Sequence, residues 1–392
     1  MTRVLMLAYA QYFNDARIKA YVHAWLDRGA EVDVFCLQDP PSPAPRPKGL
    51  RVIPLQPKYQ GKSALRYVLE YGRFLWRARR AVSQVLRRNA YDVFHVHNMP
   101  DALVFCIPGR RRRRGRLILD MHDVMLAGVL SKFEGLKRWL FYGPVWLQSW
   151  LSVKWADALI HADHSQQALL QEYGIHHPRR LVYLNLPDSR WFHRRPPTPP
   201  HEPIRVVYHG SITTRSGLDL AAVAVAKVAP RLPMTLTLIG DGELRRPLEE
   251  QCRREGWLNR WIFFKDFMQV EDLQAEIEQY DIGIVANRRS LMSERCMLPV
   301  KLMEYLRIGL PVVAPDLPVI RHYFDERMIA YFRPDDPDDL ARTLEALARA
   351  PDRWPAMIRA SDEFFDTYSE SRQREAYLAL ALGHADLTAK AP

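Results

Sequence analysis

Short apolar runs alternate with longer amphipathic stretches along this chain of 392 residues. The runs are Val4 to Ala8, Val32 to Leu37, Val93 to Val96, Leu117 to Leu119 and Ala158 to Ile160 in the first half, and Arg205 to Tyr208, Thr235 to Ile239, Ile262 to Phe264, Ile282 to Val285 and Pro311 to Ala314 in the second. Buried strands alternating with helices are typical of parallel sheets covered by helices. The pattern therefore predicts an α/β fold with two doubly wound parallel-sheet domains.

A proline-rich segment separates the two halves. Residues 190–203 read RWFHRRPPTPPHEP, and their five prolines favour a stiff, extended connection. We expect a first domain at 1–189, this linker at 190–203, a second domain at 204–361, and a carboxy-terminal helix within 362–392 that could pack back on the first domain. Ligands of doubly wound sheets bind at the carboxyl ends of the strands, so a central cleft faced by both domains is the expected site.

Composition is that of a globular protein, with 48% hydrophobic and 26% charged residues. The four cysteines form no CxxC pair, which favours reduced thiols and a cytoplasmic protein. The longest apolar stretch, Trp139 to Leu151, is interrupted by Gly, Pro and Gln and is too short to cross a bilayer. No transmembrane span is predicted.

The net charge of +11 is concentrated in the first half and indicates an anionic partner: nucleic acid, an anionic membrane surface or a phosphorylated substrate. The arginine run at 110–114 lacks interleaved aromatic residues, so a solvated loop is expected there and nucleic acid is not. Residues 62–88 and 131–155 mix tryptophans with Arg and Lys, as segments at lipid headgroups do. An aromatic stripe at helical spacing is more often core, so a peripheral membrane location stays one of two alternatives.

The segment CMLPVKLMEYLRIGLPVVAP, residues 296–315, carries the most chemical information. Pro299 suits the first turn of a helix, Gly309 suits its end, and an apolar strand follows. The free N–H groups and the dipole of that helix start favour an anion such as a diphosphate. Lys301 and Glu304 lie on one face of the helix, where an isolated pair of this spacing is more often a surface ion pair.

This segment resembles the donor-binding motif of the family 4 retaining glycosyltransferases, also called glycosyl transferases group 1, which have the GT-B fold of two Rossmann-like domains. Glu304, Gly309 and Pro311 match the motif in place. The resemblance implies that Glu304 holds the nucleotide ribose. It also implies backbone contacts to the donor from the residues around the helix start, namely Met297, Leu298, Pro299 and Val300. A Glu that commonly touches the donor sugar is replaced by Cys296.

A second motif, YHGSITTRSGLDL, follows the first strand of the second domain. Gly210 and Ser211 would let the loop approach a phosphate, and Arg215 could supply charge, although a lone glycine loop is more often a structural turn. The family places an Arg and a Lys on the diphosphate where Ser211 and Ser216 stand here. By this resemblance, Arg215 and Lys301 are the candidate catalytic cations, and Asp266, Phe267 and Met268 are candidate backbone contacts to the base.

In the first half, His122 and Asp123 directly follow a predicted strand. A helix-capping Asp beside a packed His is the structural alternative. Many relatives carry a His–Asp here, so the resemblance implies that the pair lies near the reacting atoms.

Three further residues, Arg17, His97 and Asn98, are candidates on the acceptor side. His95 and His97 share one side of a strand. Such a pair can bind a metal, but no acidic third ligand has suitable sequence spacing, so no metal site is expected.

The resemblance implies a metal-independent, retaining hexosyltransferase that needs no cofactor. Its donor substrate would be a nucleotide sugar of the UDP or GDP type, and its acceptor a glycan or polyprenyl-linked precursor in cell-surface polysaccharide assembly. The lack of a carboxylate pair argues against a glycosidase. A nucleotide-sugar epimerase of the same fold, or a non-catalytic membrane-surface protein derived from a transferase, remains an alternative.

Overall fold

The computed structural model describes residues 1–39, 47–59, 61, 63–109, 115–132 and 135–383. The chain divides into two compact units, one formed by Met1–Asn185 with the segment that begins at Ser371, the other by Leu186–Glu370. The boundary between the units, after Asn185, therefore lies four residues before the expected domain limit of 189. The arginine run at 110–114 lies outside the described residues.

Within the described residues, the first unit contains a parallel sheet with the strand order β3-β2-β1-β4-β5-β6-β7. Val4 of β1 pairs with Val32 on one side and Val93 on the other, so β1 and β4 flank the point where the strand order reverses. The strands are β1 (Arg3–Gln11), β2 (Glu31–Leu37), β3 (Leu50–Gln56), β4 (Val93–His97), β5 (Arg116–Met121), β6 (Ala158–His161) and β7 (Arg180–Val182). The helices before residue 186 are α1 (Ala16–Leu26), α2 (Ala64–Val85), α3 (Met125–Lys132), α4 (Gly135–Trp155) and α5 (His164–Glu172), with a short 3-10 helix at Asp101–Cys106.

The second unit repeats this plan with the strand order β10-β9-β8-β11-β12-β13, again among the residues described. Its strands are β8 (Ile204–His209), β9 (Met234–Ile239), β10 (Ile262–Lys265), β11 (Ile282–Ile284), β12 (Val312–Pro315) and β13 (Ile329–Phe332). Its helices are α6 (Leu218–Val228), α7 (Arg245–Arg254), α8 (Val270–Ile277), α9 (Leu291–Arg295), α10 (Val300–Ile308), α11 (Pro318–Arg321), α12 (Pro337–Ala348) and α13 (Trp354–Thr367), with short 3-10 helices at Thr214–Ser216 and Pro351–Arg353. Both sheets thus have the doubly wound order, whose ligand crevice lies at the reversal.

Helix starts follow local chemistry. Asp15, Ser63 and Asp163 each precede a helix, and each side chain accepts a hydrogen bond from a backbone N–H of the first turn. The central strands are buried on both faces, and Val4, Leu5, Met6 and Leu7 of β1 have no exposed surface. This burial explains why the interior strands read as continuous apolar runs.

The proline-rich segment groups with the second unit because it packs along α10. Arg194 Nη1 donates a hydrogen bond to the carbonyl of Leu306, and the N–H of Arg195 donates to the carbonyl of Ile308. These two bonds satisfy carbonyl groups at the carboxyl end of α10.

The carboxy-terminal part of the chain is divided between the units. The helix expected within 362–392 corresponds to two helices: α13, in the second unit, ends at Thr367, and α14 (Glu370–Leu382) follows. Tyr377 of α14 is fully buried in the core of the first unit. Its hydroxyl accepts a hydrogen bond from Trp25 Nε1 at 2.8 Å and lies 2.8 Å from His95 Nδ1.

None of the helices in the described part of the chain has both the length and the apolar character needed to cross a membrane. The longest apolar stretch of the sequence lies in α4, and Cys36, Cys106, Cys252 and Cys296 are buried and not in disulfide bonds.

Candidate active site

The start of α10 lies at the carboxyl end of the second sheet. Pro299 precedes the helix in an extended conformation, and no side chain caps the helix there. The N–H groups of the first turn, including those of Val300 and Lys301, have no acceptor within the helix. Gly309 ends the helix with φ of +99°, a conformation that favours glycine. The helix start therefore offers donors to an anion, as its sequence predicts.

Glu304 is fixed by a histidine. His209, the last residue of β8, lies with Nε2 2.7 Å from Glu304 Oε2 and Nδ1 2.9 Å from the hydroxyl of Tyr305. The backbone N–H of His209 also donates to that hydroxyl at 2.9 Å. The pairing engages one carboxylate oxygen and orients the side chain. The surface ion pair with Lys301, which was the structural alternative, is therefore not the arrangement that Glu304 adopts.

Sequence reasoning missed His209. The only signal for it was local: it directly follows the predicted strand Arg205 to Tyr208 and directly precedes Gly210. It lies 95 positions before Glu304, so the pairing itself depends on the tertiary fold.

Lys301 lies beside the loop that follows β8. Its Nζ is 4.7 Å from the centre of the Tyr208 ring, and its Cε is 3.4 Å from the position a Cβ would take at Gly210. No carboxylate among the described residues forms an ion pair with Lys301. Its charge is thus held next to the α10 start without neutralisation by an acidic side chain.

Two glycine loops meet at this place. Gly210 and Gly240 have φ of +115° and +138°, and a Cβ at Gly240 would lie 2.1 Å from the carbonyl oxygen of Gly210. Likewise, a Cβ at Gly242 would lie 2.3 Å from the carbonyl oxygen of Ile212. Only glycine permits this close approach of the backbones that follow β8 and β9.

Of the remaining donor candidates, Ser211 and Arg215 are exposed in the loop after β8, where the carbonyl of Arg215 accepts from the N–H of Arg288. Asp266 is exposed and forms a 2.8 Å ion pair with Arg245, while Phe267 is 66% exposed. Met268 follows them after β10. This segment directly follows β10, which is an edge strand that β9 and β8 separate from β11.

Cys296, which replaces the Glu that commonly touches the donor sugar, is buried. Cys296 is only 5% exposed at the end of α9, and Leu298 and Pro299 are buried while Met297 is half-buried. Glu294, two residues earlier, lies 3.2 Å from Arg289 in an ion pair.

In the first unit, Arg17 lies in a buried charge cluster. Its Nε and Nη2 donate to the two oxygens of Asp120 at 2.8 and 2.7 Å, and Nη1 donates to the carbonyl of Tyr183 and to Asn185 Oδ1. Arg17 is 8% exposed and Asp120 is completely buried. Burial alone would raise the pKa of Asp120, but the Arg17 guanidinium outweighs burial and holds that pKa well below its usual range.

Three histidines surround the same carboxylate. Oδ2 of Asp120 lies 3.3 Å from His97 Nδ1, 3.7 Å from His122 Nδ1 and 3.9 Å from His95 Nε2. Burial lowers the pKa of His95 and His97, whereas at His122 the attraction of Asp120 outweighs burial and raises the pKa. His122 is therefore the member of the cluster that most readily carries a proton, and its side chain is 19% exposed.

Asn98 joins the ends of β4 and β5. Its Oδ1 accepts from the N–H groups of His122 and Asp123, and its Nδ2 donates to Asp101 Oδ1 and to the carbonyl of Asp123. The side chain of Asp123 is exposed. The structure thus brings His97, Asn98, His122 and Asp123 together. Arg17 lies in the same unit, where it is buried and bonded to Asp120.

The expectation that no acidic group accompanies the His95–His97 pair is wrong. Ligand atoms of His95, His97 and Asp120 all lie within 4.8 Å of one another, so the acidic ligand that the sequence spacing lacked is supplied by the next strand. Both oxygens of that carboxylate already bind the Arg17 guanidinium, however, and an added cation would lie beside this charge.

Comparison with known proteins identifies two family domains. Residues 15–185 match the glycosyl transferase 4-like domain, and residues 203–350 match glycosyl transferases group 1. The amylovoran biosynthesis glycosyltransferase AmsK of Erwinia amylovora is 25% identical over 183 residues, which are 46% of this chain and 44% of that protein. The chain thus matches less than half of the length of this relative.

Among solved structures, sucrose-phosphate synthase from Thermosynechococcus elongatus has a TM-score of 0.73 at 15% identity, covering 99% of this chain and 98% of its own. HepE of Anabaena, solved in complex with UDP, has a TM-score of 0.70 at 14% identity, covering 98% and 100%. At these identities the likeness shows the fold. The chain belongs to the group 1 glycosyltransferases, with a glycosyl transferase 4-like amino-terminal domain and the GT-B fold of two Rossmann-like domains.

Proposed function

We propose that this chain transfers a hexose from a nucleoside-diphosphate sugar of the UDP or GDP type to an acceptor, with retained anomeric configuration and without a metal. The observation that carries the proposal is the fixed pair of His209 and Glu304 beside the uncapped start of α10 and the unpaired Lys301. An oriented carboxylate suits ribose hydroxyls, and the helix start with a cation suits a diphosphate.

The donor would lie across the two loops that follow β8 and β9. Their glycines leave room for phosphate oxygens near the backbone. Glu304 has a second carboxylate oxygen, not bonded to His209, that can accept hydrogen bonds from hydroxyl groups. Structures of Anabaena HepE with UDP and with UDP-glucose support a nucleotide sugar as the class of donor. The buried Cys296 leaves the contact to the sugar ring to other groups, with the backbone around Leu298 as the candidate.

In the proposed reaction, the bond between the anomeric carbon and the diphosphate oxygen breaks while the acceptor oxygen bonds to that carbon on the same face. The acceptor hydroxyl proton passes to the departing diphosphate. Lys301, Arg215 and the α10 start stabilise the negative charge on the leaving group, a role that a metal ion fills in other enzymes. In the first unit, His122, whose pKa is raised, and Asp123 would orient the acceptor hydroxyl.

The acceptor in this proposal is a lipid-linked or polysaccharide precursor. AmsK carries the name of an amylovoran biosynthesis glycosyltransferase, which supports a role in glycan assembly. The corresponding location is the cytoplasm, with the chain peripheral on the inner face of the cell membrane.

The experiment is donor binding, followed by nucleoside diphosphate release. Thermal shift with UDP, GDP and their sugars should give stabilisation by one nucleotide class, since a ligand of the folded state raises its stability. Glu304→Gln should then weaken binding of that nucleotide about 10- to 100-fold, because charged hydrogen bonds contribute roughly 1.5–3 kcal/mol. Glu255→Gln, an exposed change in the same unit, is the control. No shift with any nucleotide, or wild-type affinity in Glu304→Gln, would refute the donor site.

A further inference from the structure

The exposed apolar side chains of this protein are concentrated on α2 and α4. Of the 14 large hydrophobic side chains that are exposed in the described residues, ten lie on these two helices. They include Val68 at 65%, Leu69 at 63% and Trp76 at 62% on α2, and Trp139 at 73% and Leu140 at 67% on α4. We call the exposed surfaces of α2 and α4 the aromatic–basic face. Clusters of this kind on a globular protein indicate an interaction surface.

The two helices belong to one side of the first unit. Both helices pack against the short 3-10 helix Asp101–Cys106. Cys106 Sγ of this 3-10 helix donates a hydrogen bond to the carbonyl of Leu75 in α2. Arg79 of α2 also donates to the carbonyl of Phe105, whose ring meets Trp155 of α4 edge-on at 5.7 Å. A single surface can therefore contact both helices.

The charge of this face is predominantly positive. Helix α2 contains five arginines and one acidic residue, Glu70, and that residue is paired with Arg73. Helix α4 contains no acidic residue. Arg80 lies 5.6 Å from the centre of the Trp76 ring, and Lys154 Nζ lies 5.9 Å from that of Trp150. Cationic side chains thus lie next to indole rings, and the headgroup region of a bilayer favours both kinds of side chain.

We propose that the aromatic–basic face binds the surface of an anionic lipid bilayer. Its apolar side chains would enter the headgroup region, while the arginines reach lipid phosphates along their aliphatic stems. A second copy of this chain fits less well, because two such faces would bring arginines of like charge together. The proposal stands on the first unit and does not depend on the donor site. That the surface also delivers a lipid-linked acceptor rests on the function proposed above.

Vesicle sedimentation of the full chain tests this proposal. Wild type is expected to pellet with vesicles of phosphatidylcholine and phosphatidylglycerol, and much less with phosphatidylcholine alone. Arg73→Glu combined with Arg80→Glu should lower partitioning at least about 20-fold, since each basic residue near the surface contributes about fivefold. Arg254→Glu with Arg359→Glu changes the net charge equally on exposed sites of the second unit and should keep most of the binding.

Trp76→Ala with Trp139→Ala tests the apolar part without changing charge. This variant should also lose most vesicle binding, and its nucleotide-induced thermal shift should equal that of wild type, which separates the lipid proposal from the donor site. Undiminished vesicle binding in both face variants would overturn the proposal. So would a wild-type protein that ignores anionic vesicles but forms a dimer, by light scattering, that Trp139→Ala dissociates.

Discussion

Replacing Asp120 by Asn is expected to loosen the first unit far more than the loss of one hydrogen bond would. Asn keeps the size of the side chain but removes the only negative charge that meets Arg17 within hydrogen-bond distance among the described residues. The guanidinium, 8% exposed, then stays buried with the carbonyl of Tyr183 and the amide of Asn185 as its acceptors.

The magnitude follows from the burial of both partners. Removing one member of a buried ion pair costs about 3–5 kcal/mol, because the remaining charge is left without compensation. Two of the four hydrogen bonds of Arg17 do not involve Asp120 and persist, so the lower limit applies. A loss of about 3 kcal/mol corresponds to roughly a 150-fold change in the opening equilibrium.

Hydrogen exchange measured by mass spectrometry reports this opening for each unit separately. Peptides of β4 and β5 should exchange about 150-fold faster in Asp120→Asn, while peptides of β8 and β9 should be unchanged. The measurement belongs at pH 7. A carboxyl whose pKa is depressed on folding contributes its stability above the unfolded pKa near 4 and loses it as the pH falls through the folded value.

A double variant checks the physical reason. Arg17→Met with Asp120→Asn removes both charges, so its β4 and β5 peptides should exchange more slowly than those of Asp120→Asn alone. An acceleration below about 10-fold in Asp120→Asn would refute the reasoning, as would a double variant that exchanges as fast as the single one.

Two other changes test the nucleotide loops and a buried histidine. Gly240→Ala places a Cβ 2.1 Å from the carbonyl oxygen of Gly210 and should abolish the thermal shift by nucleotide, whereas Gly256→Ala, with φ of +70° but no atom within 4 Å, should cost about 1 kcal/mol of stability and keep the shift. Burial lowers the pKa of His161 to about 3, so the unfolded chain binds a proton first as the pH falls below about 6.5, and folding loses about 2 kcal/mol by pH 5. His161→Gln should reduce the drop in melting temperature between pH 7 and pH 5; an equal drop in both proteins would contradict this assignment.

Interior strands were predictable from the sequence, and three edge strands were not. The missed strands β3, β7 and β13 each lie at the border of a sheet. All three residues of β7 are only half-buried, and β3 alternates between buried and accessible residues around Pro54. A strand with one neighbour and partial burial does not need a continuous apolar run, so the signal that marks β1 or β8 is weak there.

The donor region was predictable where its signals are local. Pro299 and Gly309 define both ends of α10 within ten positions, and the helix occupies Val300–Ile308 between them. The contacts that hold the site together connect distant positions: His209 with Glu304, and Arg17 with Asp120, which are 103 residues apart. Such partners become neighbours only through the strand order, which a single sequence does not specify.

Because α14 packs in the core of the first unit, that unit cannot complete its folding until α14 has been synthesised. Tyr377, Leu378 and Ala381 complete the core around β1 and α1, and the hydroxyl of Tyr377 serves both Trp25 and His95. A ribosome releases those early elements long before α14 emerges, and the whole of Leu186–Glu370 is made in between. The second unit can thus finish folding on the nascent chain, whereas the first, begun earlier, is finished last. A chain stalled before Ser371 would leave an apolar cavity open at Trp25, where chaperones that recognise exposed core residues would bind.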